Sequence, residues 1–232
     1  MRKFAISDIH GCNQTFNALL KKIEFSKSDQ LFLLGDYIDR GPDSKGVLDT
    51  IFRLQDSGHS VSCLKGNHEE GLMKSRVDKD QLKTWCNYWG GERTLRSFGT
   101  NDLNGIDRRY WRFFEELSPY VEVDDYLLVH AGLNFERKNP LEDLHAMRWI
   151  RSWYQNVDYG WLKNRVIVHG HTPKSRTMIE TDLEFLDTIQ VVNIDNGCFR
   201  RDIEMGQLCA FELTQKKLYF QGNIDSMEAN YT

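Results

Sequence analysis

Short apolar runs that stop abruptly at a glycine or a charge recur along this chain. The clearest is Leu31-Phe32-Leu33-Leu34, which ends at Gly35. A run this short with no polar position predicts a strand covered on both faces. Similar patterning predicts strands at 3–6, 60–64, 126–129, 166–168 and 191–194. Between them, apolar residues recur at helical spacing. Phe16, Leu19, Leu20 and Ile23 form one face behind Asn13, a residue suited to capping a helix. Val47, Leu48, Ile51 and Leu54 do the same after Pro42 and Asp43. Strand, turn and helix thus alternate three times, which argues for βαβ units and a largely parallel first sheet. Residues 121–123 alternate as a strand, 141–154 read as helical, and 208–213 with 217–221 flank a polar turn as a hairpin.

From about 71 to 119 the strand pattern lapses. Trp85, Tyr88, Trp89, Tyr110, Trp111, Phe113 and Phe114 gather here among many charges, and Trp85 and Trp89 would share a helix face. A helical insertion is expected, its aromatic residues packed on the body of one domain spanning 1–232.

Composition narrows the class. A chain of 232 residues with 40% hydrophobic and 28% charged positions suits a globular α/β domain. A formal charge of −4 offers no basic surplus for general nucleic-acid binding. The five cysteines are odd in number and never form Cys-x-x-Cys, a pattern of free thiols in a cytoplasmic chain. The N-terminal apolar piece is too brief for a signal peptide, and no run approaches a membrane span. Leu218-Tyr219-Phe220-Gln221-Gly222 follows two lysines and reads as native sequence, not a tag remnant.

The strand ends carry the chemistry. Asp8, His10, Asp36, Asn67, His68, His130 and His171 all fall just after predicted strands. Carboxylate, imidazole and amide oxygen together suit manganese first, or iron, zinc, cobalt or nickel. There are too many donors for one tetrahedral ion. Two ions sharing a carboxylate would use them all and would activate a water to attack phosphorus or a carbonyl.

Five motifs, Ser-Asp-Ile-His-Gly at 7–11, Gly-Asp-Tyr-Ile-Asp-Arg-Gly at 35–41, Gly-Asn-His-Glu at 66–69, His-Ala-Gly-Leu at 130–133 and Gly-His-Thr-Pro at 170–173, resemble the phosphoprotein phosphatase branch of the calcineurin-like metallophosphoesterases. The resemblance runs from Asp8 to Asp195 in the family's order. It implies an α/β fold of two mixed sheets packed as a sandwich between helices, a four-layer αββα arrangement. It further implies that Asp8 and His10 bind one metal ion, that Asn67, His130 and His171 bind a second, and that Asp36 bridges them. His68 would protonate the leaving oxygen, with Asp39 orienting its imidazole. The implied reaction is hydrolysis of a phosphate monoester by a hydroxide held between the ions.

The residues support these roles on their own terms. Arg40, in the same turn as Asp36, can clamp a phosphate bidentately beside Asn67. A His paired to a carboxylate keeps its proton near neutral pH, as a general acid must. Trp149-Ile150-Arg151 is similar to a Trp-x-Arg stretch of bacterial and phage members, which makes Arg151 the second clamp and Arg148 its rival. His169, two residues before His171, is expected to be structural, and Cys12 is given no role. Ser7 stands where the family usually has glycine. The stretch 193–197 lacks the aromatic loop of eukaryotic members, so a bacterial or phage-type enzyme is expected, without eukaryotic inhibitor binding. The expected substrate is phosphoserine or phosphothreonine in proteins. Symmetrical hydrolysis of a bis(5'-nucleosyl) tetraphosphate is the alternative within the class. An inactive binding module on the same fold is the remote one, since no ligand is missing.

Overall fold

In the computed structural model, residues 1–225 are described, and their strands lie in two sheets. In chain order they are β1 (Lys3–Ile6), β2 (Gln30–Leu33), β3 (Ser60–Cys63), β4 (Tyr120–Val123), β5 (Tyr126–Val129), β6 (Val166–His169), β7 (Val191–Asn193), β8 (Gln207–Glu212) and β9 (Lys217–Gly222). The first sheet runs β3-β2-β1-β8-β9, its first three strands parallel and its hairpin antiparallel. The second runs β4-β5-β6-β7, parallel except for the edge strand β4. Both sheets are therefore mixed.

Side-chain alternation explains why the strand sequences are apolar throughout. Phe4, Ile6, Leu31 and Leu33 face outward from the first sheet onto helices, whereas Ala5, Phe32 and Leu34 face the second sheet. Tyr126, Leu128, Val166, Val168 and Val192 meet them in that central layer. Leu127, Val129, Ile167 and Val191 turn the other way and bury Met147, Trp153 and Leu162. Strands β1, β2, β5, β6 and β7 thus have two buried faces, and the two sheets form a sandwich.

The helices are α1 (Asn13–Lys22), α2 (Ser44–Asp56), α3 (Asn67–Ser75), α4 (Lys79–Thr84), α5 (Gly91–Ser97), α6 (Arg108–Glu116), α7 (Ala146–Trp149), α8 (Tyr159–Leu162), α9 (Arg176–Glu184) and α10 (Leu186–Ile189). A single π-helical turn, Trp85–Trp89, joins α4 to α5. Phe16, Leu19, Val47, Leu48 and Ile51 seal α1 and α2 onto the first sheet, and Trp85, Leu95, Tyr110 and Phe114 add the 71–119 stretch to the same core. No helix among the described residues is long and apolar enough to cross a membrane.

Three local readings differ from expectation. Asn13 does not cap α1: its amide donates to Asp43 at 2.8 Å, and Asp225 takes the cap by accepting from the N–H groups of Gln14 and Thr15. Residues 141–154 hold only the short α7 and 3₁₀ turns, because the chain becomes extended at Ile150 and left-handed at Ser152 to bury Trp153 under Gly132. Helix α9 went unpredicted, although Ser175 caps it at Met178 N and Ile179 is its buried residue.

Candidate active site

Parallel strands place their carboxyl ends on one edge, and the loops that leave them interlock there. His10 N donates to Asp36 O at 2.9 Å, tying the loop after β1 to that after β2. The Glu69 carboxylate accepts from the N–H groups of Asp36, Tyr37 and Gly66 at 2.9, 2.8 and 3.0 Å, tying in the loop after β3. The second sheet joins through His130, whose Nδ1 donates to Leu34 O at 2.9 Å, and through His171 N, which donates to Asp8 Oδ2 at 3.0 Å.

At the junction Asp36 is central and 2% exposed. Its Oδ2 lies 3.6 Å from His10 Nε2 and 3.9 Å from His68 Nε2, and its Oδ1 lies 3.5 Å from His130 Nε2. Asn67 Oδ1 stands 3.0 Å from His130 Nε2 and 2.8 Å from His171 Nδ1. Two sets of ligand atoms result, His10 with Asp36 and His68, and Asp36 with His130 and His171. Asp8 is at the margin of the first, with Oδ1 4.0 Å from His10 Nε2 and Oδ2 receiving Ser7 Oγ–H. Ser7 therefore gives Asp8 a hydroxyl donor beside the backbone N–H of His171.

The donor set fits divalent cations. His10 Nδ1 donates to Ile38 O and His130 Nδ1 to Leu34 O, which fixes each tautomer with an unprotonated Nε2 facing the cluster. These lone pairs, the Asp36 carboxylate and the Asn67 carbonyl are all acceptors aimed at one another, an arrangement that repels without a cation between them. His171 Nε2 is buried without a hydrogen-bond partner. Burial, reinforced by the Arg40 charge, pushes the His10 pKa well down, and burial with His130 pushes that of His171 to about 2. Burial opposes ionisation of Asp36, but His130, His68 and His10 outweigh it and hold its carboxyl below the usual range. A neutral imidazole at His10 and at His171, beside an ionised Asp36, is the protonation state that metal ligation needs.

His68 differs from the other histidines. Its Nδ1 donates to Asp39 Oδ2 at 2.6 Å, which leaves Nε2 toward the cluster. Burial disfavours its charged form, yet Asp36 and Asp39 overcome that and raise its pKa. His169 is buried against Tyr154 and lies outside both ligand sets.

Two guanidinium groups flank the cluster. Arg40 lies over the Phe199 ring at 4.3 Å, and that ring packs edge-on against His10. Arg151 is exposed, donates to Thr172 Oγ1 at 3.0 Å and acts electrostatically on His171. Its rival Arg148 is consumed by Glu70, at 3.1 and 3.3 Å. Sequence reasoning gave no role to Glu69 or Thr94 and expected Trp85 only to pack on the body of the domain. Glu69 was findable as the acidic third residue of a helix opening at Gly66. A buried tryptophan always raises the question of where its N–H goes.

Residues 1–194 match the family described as calcineurin-like phosphoesterase. Among curated relatives, the chain is 32% identical over 135 residues to a symmetrical bis(5'-nucleosyl)-tetraphosphatase of Pseudomonas putida, 57% of this chain and 43% of that one. It is 36% identical over 194 residues to the protein of the same name from Delftia acidovorans, covering 74% and 66%. The matched region thus spans about half the length of most of these relatives. Among solved structures, a protein serine/threonine phosphatase of Saccharomyces cerevisiae superposes with a TM-score of 0.67 at 14% identity, covering 98% of this chain and 82% of that one. At that identity the likeness is one of fold.

Proposed function

The chain belongs to the calcineurin-like phosphoesterase family, and from that premise we propose that it cleaves bis(5'-nucleosyl) tetraphosphates symmetrically at the cluster around Asp36. The observation that carries this reading is the shared name of its curated relatives, symmetrical bis(5'-nucleosyl)-tetraphosphatase, at 32% and 36% identity. It ranks above the phosphoserine or phosphothreonine substrate expected from the motifs, which none of these relatives supports.

Asp8, His10 and Asp36 would hold one divalent ion, and Asp36, Asn67, His130 and His171 a second. Such ions, manganese first among the candidates, would supply charge for the phosphoryl oxygens and would lower the pKa of a bound water. Arg40, which acts on His10, and Arg151, which acts on His171, bind the remaining phosphoryl oxygens and hold the phosphorus in line for attack. His68, protonated on Nε2 and held by Asp39, gives its proton to the departing oxygen. Glu69 keeps the Asp36 and Asn67 loops in register, so the ligands do not rearrange when charge develops.

The test is a comparison of kcat/KM for diadenosine tetraphosphate and for phosphoserine and phosphothreonine peptides, with the manganese-loaded protein. ADP as sole product, at a higher kcat/KM than any peptide, is expected. Dephosphorylated peptides with the dinucleotide intact would restore the protein-phosphatase reading.

A further inference from the structure

The Asp39 carboxylate is shared three ways. Oδ2 accepts from His68 Nδ1 at 2.6 Å and from Trp85 Nε1 at 2.8 Å, while Oδ1 accepts from Thr94 Oγ1 at 2.6 Å. Asp39, Trp85 and Thr94 are each 0% exposed, so no solvent competes for these bonds. The Trp85 bond runs one way. An indole N–H can only donate. Thr94 Oγ1 receives the Asp39 N–H at 3.0 Å and also lies 3.0 Å from Ser44 Oγ, but the ionised carboxylate at 2.6 Å is the nearer and stronger acceptor for its proton. With both oxygens engaged, the carboxylate cannot turn about its bond to Cβ, and the imidazole it holds keeps Nε2 3.9 Å from Asp36 Oδ2.

The backbone delivers these donors in an unusual way. Trp85 opens the π-helical turn that joins α4 to α5, a widened turn that is frequent at functional sites. Its ring lies so close to Gly91 that a Cβ there would stand 2.4 Å from the indole. Arg93 Nη1 donates to Arg40 O at 3.0 Å, which fastens α5 to the loop carrying Asp39.

We infer that Trp85 and Thr94 are positioning residues: they aim the proton donor through Asp39, so the stretch from α4 to α5 belongs to the catalytic apparatus. This rests on His68 as the acid, proposed above, and is independent of which phosphate substrate is native. A group that acts through proton donation matters more as the leaving group becomes more basic. A group that merely stabilises the fold affects all substrates alike.

The experiment measures kcat and KM of the manganese-loaded protein on 4-nitrophenyl phosphate and on phenyl phosphate, whose leaving group is more basic, for Trp85→Phe, Thr94→Val, Thr94→Ser and His68→Asn. Metal content and melting temperature are recorded in parallel. Trp85→Phe and Thr94→Val are expected to lower kcat on phenyl phosphate about tenfold and on 4-nitrophenyl phosphate about twofold, with KM unchanged. Thr94→Ser keeps the hydroxyl and restores most of the rate, while His68→Asn shows the same dependence at larger size. Equal losses on both substrates for Trp85→Phe and Thr94→Val, beside a leaving-group-dependent His68→Asn, would overturn the inference and leave the acid intact. A His68→Asn loss independent of the leaving group would remove the acid itself and the inference with it. Should Trp85→Phe fail to fold, Thr94→Val decides the matter.

Discussion

Asp8, His10, Asp36, Asp39, Arg40 and His171 all hold positive φ, half of the twelve non-glycine residues that do so among the described residues. Such angles cost of order 1–3 kcal/mol each and persist where surroundings over-determine them, which is how side chains from tight turns come to point inward together. At this scale His68 offers the sharpest test of the chemistry. His68→Asn should lower turnover about 10²–10³-fold while elemental analysis finds metal content near wild type; retained turnover would show that the proton comes from elsewhere. Glu70 offers a test of stability. Burial opposes its ionisation, but Arg148, Trp149 and Lys74 outweigh it and hold its pKa down to about 2. A carboxylate depressed on folding stabilises above its ordinary pKa, and that contribution fades as pH falls toward the folded value. Glu70→Gln should therefore lower the melting temperature at neutral pH, with the gap to wild type closing between about pH 4.5 and pH 2.

Between β2 and α2 the chain must reverse within a few residues while leaving its ligands exposed to the cluster. Gly35 makes the turn at φ +102, and a Cβ there would stand 2.6 Å from Gly66 N. Gly35→Ala should destabilise by about 2 kcal/mol or more, read as a lowered denaturant midpoint at unchanged slope. Glu69 is the element-scale counterpart, one carboxylate serving three buried N–H groups. Glu69→Ala leaves those donors unpaired and should cost roughly 3 kcal/mol or more, together with a 10–100-fold weaker manganese affinity by calorimetry. Unchanged affinity would mean that the loops hold their register without it.

Across the whole molecule, two sheets with separate helical layers contribute one cluster, so what binds between them also fastens them together. Ligand sets drawn from both sheets are close enough to share Asp36. Manganese should therefore raise the melting temperature, by a stabilisation of about 4 kcal/mol at 1,000 times its Kd, and a chelator should reverse the shift. A melting curve indifferent to both would contradict a dinuclear centre at this place.

The sequence by itself determined the metal-capable residues and the strand ends that carry them. Each donor sits within a few residues of a short apolar run, and strand periodicity and local motif are both short-range signals. Hence alternating α/β elements were legible from the residues, whereas the mixed sandwich and the convergence of Asp36, His130 and His171 were expected only from the resemblance that the five motifs carry. The role of residues 71–119 was not legible. Trp85 and Thr94 reach Asp39 across 46 and 55 positions of sequence, through a π-helical turn that helical periodicity does not announce. Arg151 was preferred to Arg148 on resemblance alone; the physical difference between them is the pairing of Arg148 with Glu70, 78 residues away. Residues 141–154 misled for the same reason, since burying Trp153 outweighed a local helical pattern. Local preference sets which atoms are available, and only packing between distant segments decides which of them a carboxylate finally meets.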